Sequence, residues 1–318
     1  MYLSVGYWKR SYIAVAHAIK RIVTICLCIV ALAGSSLQQT SFAAPDLSLV
    51  VNPTQWGNTI ALTTLGGTLY TIEKNGALYR TDLKAGKWDQ LGKADFVNTR
   101  FLFADTQSLY TIEADGSLYR INPGSGAWNR VGQTDVWKDT LTLVTLNDSL
   151  YTIERSGGLY RTNLSTGQSV QLGKSEFANT KLIFADGQNL YTIETGGGLY
   201  RVNPGNGVWS KIGSGDAWKE TIVGTTMGGR IYSVERSGGL YETNPATGVW
   251  KQIGKAEFGN AQFLFGAYGS LYTLEAGSLF RINPVNGTWV QLGTKTLWAK
   301  WTLREPTIEN VSSKWNTN

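Results

Sequence analysis

Histidine, cysteine and methionine are scarce in this 318-residue chain, with one His, two Cys and two Met. His17, Cys26 and Cys28 all fall within the first 43 residues. Those residues read as a secretory signal peptide. Lys9, Arg10, Lys20 and Arg21 precede the apolar run IVTICLCIVALAG, and a polar stretch leads on to TSFAAPD. Cleavage after Ala43 puts Ser41 and Ala43 at the small-residue positions, and cleavage after Ala33 is the alternative. The apolar run is too short to span a bilayer comfortably. The expected product is secreted or periplasmic, with no membrane span after cleavage. Without that segment the chain has neither Cys nor His. Disulfides, His/Cys zinc sites, cysteine nucleophiles and Ser-His-acid triads are thereby excluded.

Net charge is also low once the leader is set aside. Four of the 29 basic residues and none of the 23 acidic ones precede residue 44, so the remainder carries a net charge of +2. The basic character of the whole chain is mostly a targeting feature, and no nucleic-acid partner is expected. Gly-rich phosphate loops, calcium loops and metal-ligand clusters are missing, so no cofactor or metal is expected. Long glycine-free stretches with a 3.6-residue period are missing too, which argues against helical repeats.

What is present is repetition. SLYTIEADGSLYRINPGSGAWNRVG at 108–132 is one of six copies. Their marker tyrosines are Tyr70, Tyr110, Tyr151, Tyr191, Tyr232 and Tyr272, spaced alternately by 40 and 41 residues. Each copy reads as four short strands. In the second, TRFLFA, LYTIE, SLYRI and AWNRV are separated by turns at Asp105–Ser108, Asp115-Gly116 and NPGSG. Four-strand meanders with this period are propeller blades. The expected fold is all-β, a six-bladed β-propeller of four-stranded antiparallel blades spanning 44–303. A patternless tail at 304–318 should be loose. The segments LSLV at 47–50 and LWAKWTL at 297–303 are candidates to complete the ring.

A second period is twice as long. The aromatic that opens each copy alternates: Trp56, Phe96, Trp137, Phe177, Trp218, Phe258, Trp298. The distance from the preceding Gly alternates with it, five residues before Trp and four before Phe. The pattern predicts pseudo-threefold symmetry and about three strong sites, not six equal ones.

Glu73, Glu113, Glu154, Glu194, Glu235 and Glu275 recur at the end of the second strand. Carboxylate pairs serve glycoside hydrolysis, but a catalytic centre is asymmetric and these residues repeat. A hairpin turning at Asn75-Gly76 predicts instead a Glu73–Arg80 and Glu113–Arg120 ladder, broken where Glu242 replaces Arg. The Tyr of each LYR and the Trp of each GxW motif are expected between blades, with Val170 in the Trp place of the third copy. Trp56, Trp137, Trp218 and Trp298 are the candidate ligand residues. Asp135 and Asp139 flank Trp137, and Asp216 and Glu220 flank Trp218. An indole face with carboxylates beside it suits a sugar ring.

The unit FVNTRFLFADTQSLYTIEADGSLYRINP, closed by a Trp and then an Ile/Leu/Val-Gly, resembles the tachylectin propeller lectins. RFLFADTQSLY, KLIFADGQNLY and QFLFGAYGSLY carry the resemblance best, and it covers nearly all of 54–303. Tectonin-type repeats are a looser relation. The resemblance implies a multivalent, non-catalytic propeller that binds N-acetylated amino sugars between blades. The Gly-Gly that normally precedes the family's Trp is absent here. Three function classes follow: a glycan-binding propeller first, a scaffold for protein partners second, an enzyme third.

Overall fold

The computed structural model describes residues 56–84 and 88–292. Twenty-four strands and no helix occur among them, in six four-stranded antiparallel sheets. Each sheet is a blade of consecutive strands, and the six close into a β-propeller. Blade 1 comprises Thr59–Leu65, Thr68–Glu73, Leu78–Asp82 and Trp88–Leu91. Blade 2 comprises Thr99–Ala104, Leu109–Glu113, Leu118–Ile121 and Trp128–Val131. Blade 6 ends with Trp289–Gln291. The signal segment, the possible closing pieces at 47–50 and 297–303, Trp298 and the 304–318 tail lie outside the described residues.

The blades join by one contact repeated around the ring. The N–H of the linker aromatic donates to the carbonyl of the hairpin glycine in the preceding blade. Phe96 meets Gly76 at 3.0 Å, Trp137 meets Gly116 at 3.1 Å, and Trp56 meets Gly277 of blade 6 at 3.2 Å. The last of these closes the ring without any shared strand among the described residues. The hairpin demands glycine: Gly76 has φ +83, and a Cβ there would stand 2.6 Å from the Val97 nitrogen.

The core lies between blades, in six clusters. Each linker aromatic plugs into the blade before it. Trp137 packs with Phe103, Tyr110 and Leu118 of blade 2, and Phe96 with Tyr70, Ile72 and Leu78 of blade 1. The Trp/Phe alternation is a matter of gap width. The first strands of blades 1 and 2, 3 and 4, and 5 and 6 lie close together, and Phe fills those interfaces. The other three interfaces are wider at the axis. There Trp56, Trp137 and Trp218 pack with Phe265, Phe103 and Phe184. The propeller is thus three tight blade pairs, which gives the pseudo-threefold symmetry that the double period predicts. Each wide interface buries an indole whose removal costs about 3–5 kcal/mol.

Every first strand has a β-bulge near its start, where the pairing register shifts. A bulge re-aims the extra side chain. In blade 2 this residue is Arg100, which donates to the carbonyls of Lys138 and Thr140 in blade 3, both at 2.6 Å. In blade 4 it is Lys181, whose Nζ donates to the carbonyls of Trp218, Lys219 and Thr221 at 2.7–3.0 Å. Each cation thereby holds a Trp-bearing linker. Blade 6 has Gln262 at this place.

Candidate functional site

The predicted ligand tryptophans are core. Trp137 is 1% exposed, and Trp56 and Trp218 are as deeply buried. Each is packed into the interface between blades, so the open stacking face expected of these three is not present, although Trp137 reaches the lining of a cleft. Trp298 is outside the described residues. The flanking acids lie on the surface. Asp135 is exposed at a left-handed turn with φ 63. Asp216 reaches Lys211 at 4.0 Å, and Glu220 reaches Arg236 at 3.7 Å. Exposed pairs of this kind contribute little. Asp139 does line a cleft of about 560 Å³, with Glu154, Arg155 and Tyr160.

The expected Glu–Arg ladder is absent. Tyr70, not Glu73, stands opposite Arg80, and a one-residue difference of register puts two side chains on opposite faces of a sheet. Glu73 accepts instead from the Thr59 hydroxyl at 2.7 Å, Glu113 from Thr99 at 2.7 Å and Glu154 from Thr140 at 2.8 Å. Arg80 turns to Asp89 at 3.4 Å, and Arg120 to Ser108 at 2.9 Å. In blade 6 Ala261 takes the threonine's place. Glu275 Oε1 is buried without a hydrogen-bond partner among the described residues; burial pushes the carboxyl up to about 7, with the Thr273 hydroxyl holding it part-way back.

The outer aromatics were expected between blades; Trp289 does pack in part against the core between blades 5 and 6, but Trp128, Trp209 and Trp250 are exposed. Trp128 and Trp209 are 47% and 45% exposed. Each stands edge-on to the LYR tyrosine of its blade, Trp128 to Tyr119 at 5.1 Å and 87° and Trp209 to Tyr200 at 5.3 Å and 89°. Trp289 packs the same way on Phe280 at 5.2 Å. The indole N–H is anchored in all three. Trp128 donates to Asp95 at 3.1 Å, Trp209 to Glu176 at 2.9 Å and Trp289 to Glu257 at 2.8 Å. Those acids sit immediately before the linker phenylalanines, in ADF, SEF and AEF.

The other blades break the pattern. Val136 and Ala217 replace the acid in blades 3 and 5. The register places Ser169, not Val170, in the tryptophan's position of blade 3. Trp88 of blade 1 lies flat on Tyr79 at 3.9 Å and 7°. The anchored arrangement therefore occurs on blades 2, 4 and 6. Its sequence signal is the alternation of an acid with an apolar residue one place before the linker aromatic, a signal that attention to the aromatic itself passes over.

In blade 2 the arrangement borders a groove of about 390 Å³. Asp95, Phe96, Asn98, Glu113, Asp115, Tyr119 and Trp128 line it. Burial pushes the Glu113 carboxyl up, the Thr99 hydroxyl holds it part-way back, and the like charge of Asp115 raises it further. Among the described residues no group of three metal-ligating side chains is placed to hold an ion, and no helix is long and apolar enough to cross a membrane.

Comparison with known proteins supports the fold alone. No family model and no curated protein matches the chain. Solved propellers do. PorZ, a bacterial surface component of the type-IX secretion system of Porphyromonas gingivalis, is similar at TM-score 0.52 and 14% identity, over 74% of this chain and 33% of its own. The extracellular domain of the putative one component system BT4673 from B. thetaiotaomicron is similar at TM-score 0.52 and 16% identity, over 74% of this chain and 36% of its own. A structural genomics protein of unknown function from Bacteroides thetaiotaomicron matches at TM-score 0.52 and 14% identity, over 70% of this chain and 68% of its own. This chain spans about a third of the length of the first two. The tachylectin resemblance gains nothing from them beyond the propeller.

Chemically, each anchored tryptophan offers a fixed, half-exposed aromatic surface with carboxylate acceptors beside it. The flat face can cover C–H groups while the acids take hydroxyl or amine donors.

Proposed function

We propose that the protein is an exported, non-catalytic propeller that binds glycans at the anchored tryptophans of blades 2, 4 and 6. The observation that carries this reading is the threefold repetition of a tryptophan held by a ring edge and tethered through its N–H to an acid, exposed in blades 2 and 4 and half-buried in blade 6. A structural tryptophan is normally buried. One that is both exposed and immobilised is pre-organised for a ligand at little entropic cost. Three weak sites on one rigid ring gain by avidity when the ligand is itself repetitive. Export rests on the leader-like first 43 residues. N-acetylated amino sugars are the ligand class that the tachylectin resemblance suggests.

The test is a glycan array probed with the purified mature chain and with Trp128→Ala/Trp209→Ala/Trp289→Ala. Retention on a few related glycans, lost in the triple variant, supports the reading. No retention by folded protein at multivalent density refutes it.

A protein-interaction scaffold is the second reading. It is favoured by the apolar outer surface of blades 4 and 5, where Val208 is 66% exposed, Val249 70% and Trp250 50%. Capture of a protein partner that survives the triple Trp substitution and fails with Val208→Ser/Val249→Ser would select it.

A further inference from the structure

Resting on the glycan-binding reading, we propose that the groove of blade 2, and by repetition the anchored tryptophans of blades 4 and 6, select sugars bearing a free, protonated amine. The groove of blade 2 shows the chemistry. Its lining sets three carboxylates, Asp95, Glu113 and Asp115, around the aromatic corner of Tyr119 and Trp128, and includes no lysine or arginine. Arg130 stands opposite Tyr119 in the neighbouring strand but is not part of that lining. Asp95 accepts from the Trp128 indole, Glu113 from Thr99 and Asp115 from Ser117, but these neutral donors leave the negative charges along the groove uncompensated, and a neutral sugar would do the same. An ammonium group placed there meets opposite charge on one side and the negative faces of two rings on the other. Both attractions strengthen as the ligand excludes water.

Two further observations point the same way. The like charge of Asp115 adds to the burial that raises Glu113, and a ligand cation would relieve both the repulsion and the shift. Blade 6 supplies the second. Glu275 occupies there the strand-end position that Glu113 holds in blade 2, and its Oε1 is buried without a partner among the described residues. A buried carboxylate oxygen is normally hydrogen-bonded, and an ammonium N–H from a ligand is a donor of the right kind. The carboxylate pair recurs as Glu176 and Glu194 in blade 4 and Glu257 and Glu275 in blade 6. Acetylation would neutralise the amine and forfeit the charge pairing, so this inference departs from the N-acetylated class.

The test is calorimetric titration of the mature chain, near neutral pH, with equal-length oligomers of glucosamine, N-acetylglucosamine and glucose. Polylysine serves as a sugar-free amine. The glucosamine oligomer is expected to bind about tenfold more tightly than the other two sugars, with an affinity that falls as salt is added. Asp115→Asn, a change at an exposed hairpin position, is expected to narrow that preference. Equal binding of the three sugars, or preference for the acetylated one, overturns the amine inference and leaves the glycan reading standing. Polylysine binding as tightly as the glucosamine oligomer keeps the amine and removes the sugar. Failure of all four to bind folded protein removes both.

Discussion

Glu275 offers the sharpest energetic test of how the ring seam is built. In blades 1, 2 and 3 the equivalent carboxylate accepts a threonine hydroxyl at 2.7–2.8 Å, and in blade 6 Ala261 supplies none. The substitution is Ala261→Thr. Burial raises Glu275 from an ordinary 4.5 to about 7. A raised carboxyl binds its proton more tightly in the folded state. Its contribution to stability is therefore complete below the unfolded value and is lost as pH rises through the folded one. At about 1.4 kcal/mol for each pH unit between those values, the loss is on the order of 3 kcal/mol at most. Partial exposure of the side chain reduces that to roughly 2 kcal/mol or less. A hydrogen bond to a charged group returns about 1.5–3 kcal/mol. The variant should thus match the parent near pH 4.5 and exceed it by about 2 kcal/mol above pH 7.5, a gain of roughly 4–8 °C in Tm for a domain of this size. Thermal unfolding followed by circular dichroism from acid to mildly alkaline pH measures it, with Glu275→Gln as the pH-insensitive control. Parallel Tm curves for Ala261→Thr and parent across that range would refute the reasoning, because a packing gain does not depend on the proton.

The other predictions follow from the blade interfaces. Trp137→Ala should lower stability by about 3–5 kcal/mol, whereas Trp128→Ala should lower it by about 1 kcal/mol or less while weakening glycan retention; chemical denaturation and the array separate the two roles. Arg100→Ala should destabilise by about 1–3 kcal/mol in urea titrations, since it removes two charge-assisted bonds to the blade 3 linker. Gln262→Lys should raise Tm by supplying at the blade 6–1 seam the cation that Lys181 supplies between blades 4 and 5, and an unchanged or lowered Tm would count against that role. Gly76→Ala should destabilise strongly, because its Cβ would meet the Val97 backbone in a left-handed turn.

Much of the architecture was readable from local pattern. Blade number, four strands per blade, the turn positions and the pairing of blades all follow from a 40/41-residue period with glycine at the bends. These properties are written in neighbouring residues. The readings that failed were those that needed a third dimension. Trp137 beside Lys138 and Asp139 looks like a ligand residue along the chain, yet a linker aromatic can face outward or plug the preceding blade with the same neighbours. The Glu73–Arg80 pair fails by one residue of register, enough to reverse the face. The GxW tryptophans fail in the opposite sense. They are aromatic and so suggest core, but Trp128, Trp209 and Trp250 lie exposed on the outermost strand of their blades, where one sheet face remains open.

The sequence by itself determined the fold, the pseudo-threefold symmetry and the absence of His and Cys chemistry beyond residue 43, because repetition, turn residues and composition are properties of the chain. Only the tertiary structure decided which tryptophans are buried and which are presented, and which acids hold them. Trp128 and Asp95 are 33 residues apart. They meet because the outer strand of one blade returns to the linker by which that blade is entered, a proximity created by the meander closing on itself and by no local preference of either residue.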